Sequence, residues 1–152
     1  MPTVLIVHHT SSPSTQELLE SAIAGASTDD IEGVDVVVRP ALSATASDVL
    51  EADGFVLGTS VNIGYISGAL KHFFDQIYYP TLQAKVGAPY AAYLHANNDA
   101  AGALRAIDAI TAGLSWHKVA TPVVSMGQPD RETKQQVWEL AATVSAHVAG
   151  LV

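Results

Sequence analysis

Residues Val4 to Ala22 read VLIVHHTSSPSTQELLESA. The unbroken apolar run Val4–Val7 has no polar alternation, which marks a strand buried on both faces. Two histidines follow, and then Thr10, Ser11, Ser12, Pro13, Ser14 and Thr15, none of them charged. Beyond them Leu18, Leu19, Ala22, Ile23 and Ala26 fall at helical spacing. The stretch is therefore a buried strand, a hydroxyl-rich loop and a helix. Ser14 and Glu17 have the spacing of a capping box, which gives one of the hydroxyls a structural task. The others gather at a helix start, where unpaired N–H groups and the positive end of the helix dipole favour an anion.

The same unit recurs along the chain. Strands are predicted at Thr3–Val7, Val34–Val38, Gly54–Gly58 and Ala88–Ala96, with a fifth in the region 117–126, where Pro122 cannot donate to a central ladder. Helical stripes lie between them: a short one at 45–52, then Leu70, Phe73, Phe74 and Ile77 with Pro80 ending that helix, then Leu104, Ile107, Ile110 and Leu114. A last helix begins near Asp130 and carries Val137, Leu140, Ala141, Val144 and Val148. Five β-α units with two-sided strands argue for a parallel sheet covered by helices on both faces. Ligands of open sheets of this kind sit beyond the carboxyl ends of the strands, so the loops after Val7, Gly58, Ala96 and Val124 are the ones to inspect.

Composition narrows the chemistry. The 152 residues suffice for one domain with a core, and the chain has no cysteine, hence no thiol nucleophile and no thiolate metal site. A formal charge of −8 opposes nucleic-acid binding. No apolar run is long enough to span a membrane, and MPTVLIVHH lacks the basic start of a signal peptide, so a cytoplasmic, soluble protein is expected. The first loop contains neither lysine nor arginine. A phosphate held there meets only neutral donors, which suits a terminal monoester better than a triphosphate with magnesium. GxxxxGK[ST], GxGxxG after the first strand, GxSxG and HExxH are all absent. His8 and His9 are adjacent on a strand and point to opposite sides, which disfavours a shared metal. His8, His9, Gly58 and Thr59 also stand where a phospho-acceptor domain needs carboxylates. Trp116 and Trp138 read as core or interface residues, and Tyr78 and Tyr79 as packing, interface or lid residues.

The second loop, Gly58 to Gln76, is GTSVNIGYISGALKHFFDQ. Its glycines allow close backbone approach or positive φ. Asn62, Ile63 and Tyr65 set a polar amide beside apolar or flat groups, an arrangement suited to a planar heterocycle, although a surface turn with a solvent-facing tyrosine has the same pattern.

Two segments carry a specific likeness. VHHTSSPSTQELLE resembles the flavodoxin phosphate loop, with Thr10, Ser12, Pro13, Ser14 and Thr15 on its positions. ADGFVLGTSVNIGYISGALKHFFDQ is similar to the third strand, flavin loop and following helix of NAD(P)H-dependent FMN reductases and related quinone reductases, matching at Asp53, Gly54, Gly58, Gly64, Ser67, Gly68, Leu70, Lys71, Phe74 and Asp75. AKVGAPYAAYLHANNDAAGALRAI resembles the fourth strand and glycine-containing loop of that family. The resemblance implies an α/β, flavodoxin-like three-layer sandwich formed by residues 1–152 as a single domain, with a five-stranded parallel sheet in the order 2-1-3-4-5 and helices on both faces. It implies non-covalent FMN, NAD(P)H as electron donor, and a homodimer or a redox partner protein as associates. Thr10, Ser12, Ser14 and Thr15 are then expected at the phosphate. Thr59, Ser60, Val61, Asn62, Ile63, Gly64 and Tyr65 are expected at the ring or ribityl chain, and His95, Asn97, Asn98 and Asp99 at the pyrimidine side. No catalytic side chain and no metal are expected, because hydride transfer needs mostly orientation.

Three departures qualify the match. Pro13 replaces a loop glycine and removes an N–H. Ser60 replaces a proline, and the 97–102 loop lacks an aromatic, which leaves one flavin face open. An FMN or quinone reductase is the leading expectation. A one-electron carrier and a non-catalytic binding module with a weakened flavin site are the alternatives.

Overall fold

The computed structural model describes all 152 residues, Met1–Val152. The elements run β1 (Thr3–His8), α1 (Pro13–Ala26), β2 (Asp35–Pro40), α2 (Ala46–Glu51), β3 (Gly54–Asn62), β4 (Tyr65–Ile66), α3 (Gly68–Thr81), β5 (Pro89–Ala96), α4 (Ala101–Gly113), β6 (His117–Lys118), β7 (Val123–Met126) and α5 (Arg131–Val148). The parallel strands lie side by side in the order β2-β1-β3-β5-β6, with β7 continuing the edge beyond β6 against the same strand, β5. This is the expected α/β architecture and order, once β5 is counted as the fourth parallel strand and β6 with β7 as the fifth.

The missing alternation in the strands has its cause in the two helical layers. Val4 and Ile6 of β1, Val56 of β3 and Ala91 and Tyr93 of β5 pack with Leu18, Leu19 and Ala22 of α1 and Val137, Leu140 and Val144 of α5. Leu5 and Val7, Phe55 and Leu57, and Ala92 and Leu94 face the other way, onto α3 and α4. Each large side chain buried in this way stabilises the fold by roughly 1.5–3 kcal/mol. Trp116 belongs to this second layer, stacked on Phe55 with ring centroids 4.0 Å apart.

Four local readings need correction. The fifth strand is interrupted: Val119 to Pro122, four residues, stand opposite only Ala91 and Ala92 of β5. Pro122 has no N–H to give, so the chain bulges there before pairing resumes at Val123. Pro80 does not end its helix; it sits in the last turn of α3, which closes at Thr81. The α1 cap is Ser12, not Ser14, and its capping-box partner is Thr15. Pro13 explains this, because proline is favoured at the first helical position, where no N–H is needed. Glu17, released from capping, reaches Lys134 of α5 at 3.3 Å. Finally, β3 runs on past Gly58 to Asn62 and turns back as β4, a hairpin with no Asn-Gly signal in the sequence. No helix is long and apolar enough to cross a membrane.

Candidate flavin-binding site

The parallel register brings three loops to one edge. His8, Gly58, Tyr93 and Val123 lie in one row across β1, β3, β5 and β7, and Ser60, His95 and Ser125 lie in the row nearer the carboxyl end. Residues 9–12, 62–65 and 97–100 leave the sheet beyond these rows, so the topology brings all the predicted site segments to the same edge.

The first loop is closed on itself. The Ser11 and Ser12 N–H groups donate to Thr15 Oγ1 at 3.0 and 2.9 Å. The Thr15 hydroxyl donates to the Ser12 carbonyl at 3.0 Å, and the Thr15 N–H donates to Ser12 Oγ at 3.1 Å. Thr15 is buried, Ser12 and Ser14 are half-buried, and Thr10 pairs with His8 Nδ1 at 2.7 Å. Burial, and secondly the neighbouring His9, hold the His8 imidazole below its ordinary pKa. The ring is therefore neutral at pH 7.

The second loop is a tight hairpin. Val61 pairs with Ile66 and Asn62 with Tyr65, and the two residues between them have positive φ, +52° at Ile63 and +73° at Gly64. Glycine takes that conformation freely, whereas a β-branched residue is strained there. The Ile63 side chain is fully exposed, so no packing offsets its strain. Replacing Ile63 with asparagine, which tolerates the left-handed region, is expected to stabilise the protein by about 1 kcal/mol and raise the melting temperature by about 2–4 °C. A lowered melting temperature in a thermal denaturation scan counts against strain at this turn.

Within the hairpin arm the predicted residues divide. Asn62, Ile63, Gly64 and Tyr65 are exposed, and Val61 is half-buried. Thr59 is turned inward: its hydroxyl donates to the Ser60 carbonyl at 2.8 Å and accepts the Ser67 N–H at 3.1 Å, which fixes the start of α3. The Ser60 hydroxyl is also buried but has no partner within the chain.

In the third loop Asn97, Asn98 and Asp99 are exposed, and Asp99 Oδ1 accepts the Ala101 N–H at 2.9 Å, holding the entry to α4. His95 is half-buried and its Nε2 pairs with the Gly127 carbonyl at 2.8 Å. With His8 on Thr10 and His95 on Gly127, the two imidazoles are engaged separately, and no group of three or more His, Asp or Glu side chains could hold a metal ion.

Two residues that shape this edge escaped sequence reasoning. Gly102, in the first turn of α4, carries the Gly64 carbonyl where a side chain would otherwise stand. Tyr93 crosses beneath β3, its ring and hydroxyl filling the space that a Cβ on Gly58 would need. Gly58 is thus a glycine because any side chain there would collide with Tyr93. For Tyr93 the only signal was the pairing of a small with a large residue across neighbouring strands, which needs the register to be seen; Gly102 carried none.

A doubly wound parallel sheet with a neutral loop–helix turn and an exposed hairpin at its carboxyl edge defines a flavodoxin-like protein. The model of the family of NADPH-dependent FMN reductases matches residues 14–130. The chain belongs to that FMN-binding family. It is 35% identical over 77 residues to a flavodoxin of Aquifex aeolicus (strain VF5); the match takes in 51% of this chain and 40% of that relative's length. Among solved structures, a flavodoxin from the domain Archaea superposes with a TM-score of 0.82 at 16% identity, covering 96% of this chain and 98% of that one. A flavodoxin, WrbA-like protein from Agrobacterium tumefaciens gives 0.81 at 12% identity over 100% of both chains. Rubredoxin oxygen:oxidoreductase from Desulfovibrio gigas gives 0.80 at 17% identity over 98% of this chain and 36% of that one. At these identities the structural likeness speaks for the fold.

Proposed function

We propose that the protein binds FMN at the carboxyl edge of its sheet and uses it as an NAD(P)H-dependent flavin or quinone reductase. The observation that carries this reading is the strained, fully exposed Ile63 at the tip of a hairpin seated on Gly102, facing the same edge as the hydroxyl loop. Backbone strain that no internal contact compensates is kept where something lands on it. The residues fit the group. Thr10, Ser12, Ser14 and Thr15 surround the phosphate end with neutral donors. Val61, Asn62, Ile63, Gly64 and Tyr65 border the ring with an amide, backbone groups and an apolar wall, and Ser60 offers a hydroxyl free of internal bonds. His95, Asn97, Asn98 and Asp99 close the third side.

The flavin, when bound, supplies the two-electron chemistry. The chain's own part is to bind and orient. Its hairpin covers one side of the ring site, and the 97–100 loop, without an aromatic, leaves room on the other for a nicotinamide or quinone. Thr59 and Ser67 keep the hairpin base fixed to α3, so the ring wall is held by secondary structure. No acid or base is needed from a side chain when the transferred group is a hydride. A homodimer or a redox partner is a compatible associate.

The test is an absorption spectrum of the purified protein before and after incubation with FMN and desalting, followed by anaerobic addition of NADPH. Retained flavin that bleaches on NADPH supports the reductase. The net charge of −8 and the likeness to flavodoxins favour a second reading, a one-electron carrier that docks a basic partner. Photoreduction in two well-separated one-electron steps, with no response to NADPH, selects that reading.

A further inference from the structure

The β2 border of the sheet is open and apolar. β2 has β1 on one side and no strand on the other. Val36, Val37 and Val38 are only half-buried, whereas Val4–Val7 of the neighbouring strand are fully buried. On the Val37 side, α2 is only six residues long. It leaves a groove of about 250 Å³ beside the strand, with Leu5, Val37, Arg39, Asp48 and Glu51 among its lining residues. Backbone groups alternate in direction along a strand. The Asp35 N–H donates to the Pro2 carbonyl and the Ala41 N–H to the His8 carbonyl, so residues 35, 37, 39 and 41 turn to β1. Val36 and Val38 therefore turn their N–H and C=O outward. The Val38 carbonyl accepts from Arg39 Nη1 at 3.2 Å. Outward ladder groups beside half-buried valines are a template for another strand.

The residues of this strand, DVVVRP, complement themselves. Place two copies antiparallel with Val37 against Val37. Val36 of each copy then stands opposite Val38 of the other, outward groups meet outward groups, and the two form a hydrogen-bonded pair. Asp35 of each copy stands opposite Arg39 of the other, on the same face as Val37. Registers two residues away lose this match. Shifted one way, Asp35 faces Val37 and Arg39 faces Gly33. Shifted the other way, Val36 faces Pro40, which has no N–H to give. A two-fold axis through the Val37 pair closes the contact at two copies.

We propose that β2 is the contact surface of a homodimer, in which two copies join edge to edge through antiparallel β2 strands to form one continuous sheet. As they join, Arg39 gives up its own Val38 carbonyl to a backbone N–H of the other copy and takes that copy's Asp35 carboxylate. Asp48 stands 3.7 Å from Arg39 Nε, which leaves the outer nitrogens for the new pair. Two short strands bury less surface than a standard interface, so the dimer is weak, with a dissociation constant on the order of 10–100 µM. Antiparallel pairing points the carboxyl edges of the two sheets in opposite directions and keeps both candidate flavin sites open. The contact does not depend on the flavin-binding reading.

The test is sedimentation of the full chain from about 5 to about 500 µM, in about 0.15 M salt to screen the net charge of −8. The wild type is expected to pass from monomer to dimer over this range. Asp35→Arg and Arg39→Asp each set like charges opposite one another twice per dimer, and each alone is expected to weaken pairing at least about tenfold. Mixed in equal amounts, the two variants are expected to pair again, because every Asp then faces an Arg. Amide hydrogen exchange is expected to slow with concentration at Val36 and Val38 but not at Val37, whose N–H is already turned to β1. A wild type that is monomeric at about 500 µM overturns the proposal. So does a dimer that both single variants retain, which places the contact on another face, or a mixture of the two that stays monomeric.

Discussion

Gly102→Ala is expected to weaken flavin binding by about tenfold or more while moving the melting temperature by no more than about 4 °C. The argument is steric and local. Gly102 lies in the first turn of α4, half-buried, and a Cβ there would enter the carbonyl oxygen of Gly64. The obstacle is backbone, so no rotamer change relieves it. The hairpin tip must lift from α4, carrying Ile63 and Asn62 away from the proposed ring site. The pairs Val61–Ile66 and Asn62–Tyr65 are at the far end of the sheet from most of the core, which limits the effect on stability. FMN and riboflavin titrations of the variant check this; affinity equal to wild type shows that the hairpin takes no part in binding.

Gly25→Ala is expected to produce the largest loss of stability, about 3 kcal/mol, from overpacking at a site that cannot relax. A Cβ at Gly25 would occupy the position of the Trp138 carbonyl, with the Trp138 Cα only 2.9 Å away. Here α1 and α5 meet backbone to backbone, along Ala22, Gly25 and Ala26, and Ser145 Oγ donates to the Ala26 carbonyl at 2.8 Å across the same seam. Alanine forces the two helices apart over their shared layer. The melting temperature is expected to fall by about 6–12 °C. Gly68→Ala is the control: an added Cβ meets nothing there, and alanine favours the first turn of α3. If Gly25→Ala and Gly68→Ala melt alike, the close approach of α1 and α5 is not what requires the glycine.

Much of this architecture was readable because it follows from local pattern. Val4–Val7 and Gly54–Gly58 carry the mark of two-sided burial, and α5 begins at Asp130, whose carboxylate accepts the Thr133 N–H at 2.8 Å. The sites of misreading are those where distant groups decide. Whether Ser12 or Ser14 caps α1 depended on Pro13 taking the first helical position. The hairpin at 62–65 has isoleucine where turn chemistry asks for asparagine, so its sequence hides it. The role of Thr59 was invisible for a different reason. A threonine at the end of a buried strand looks free to meet a ligand until Ser67, eight residues on, is seen donating to it. Gly58 read as a point of close approach or positive φ; like Gly102, which the sequence did not single out, it is a space reserved for a neighbour.

The broken margin formed by β6 and β7 bears on how copies of this protein can associate. Two ladder fragments, offset by surplus residues and by a proline with no proton to share, offer no continuous template for another chain's strand. Growth of the sheet from one molecule into the next is blocked on that border. What remains for a lasting pair is the opposite border at β2, the helices, or the rim where the strands end.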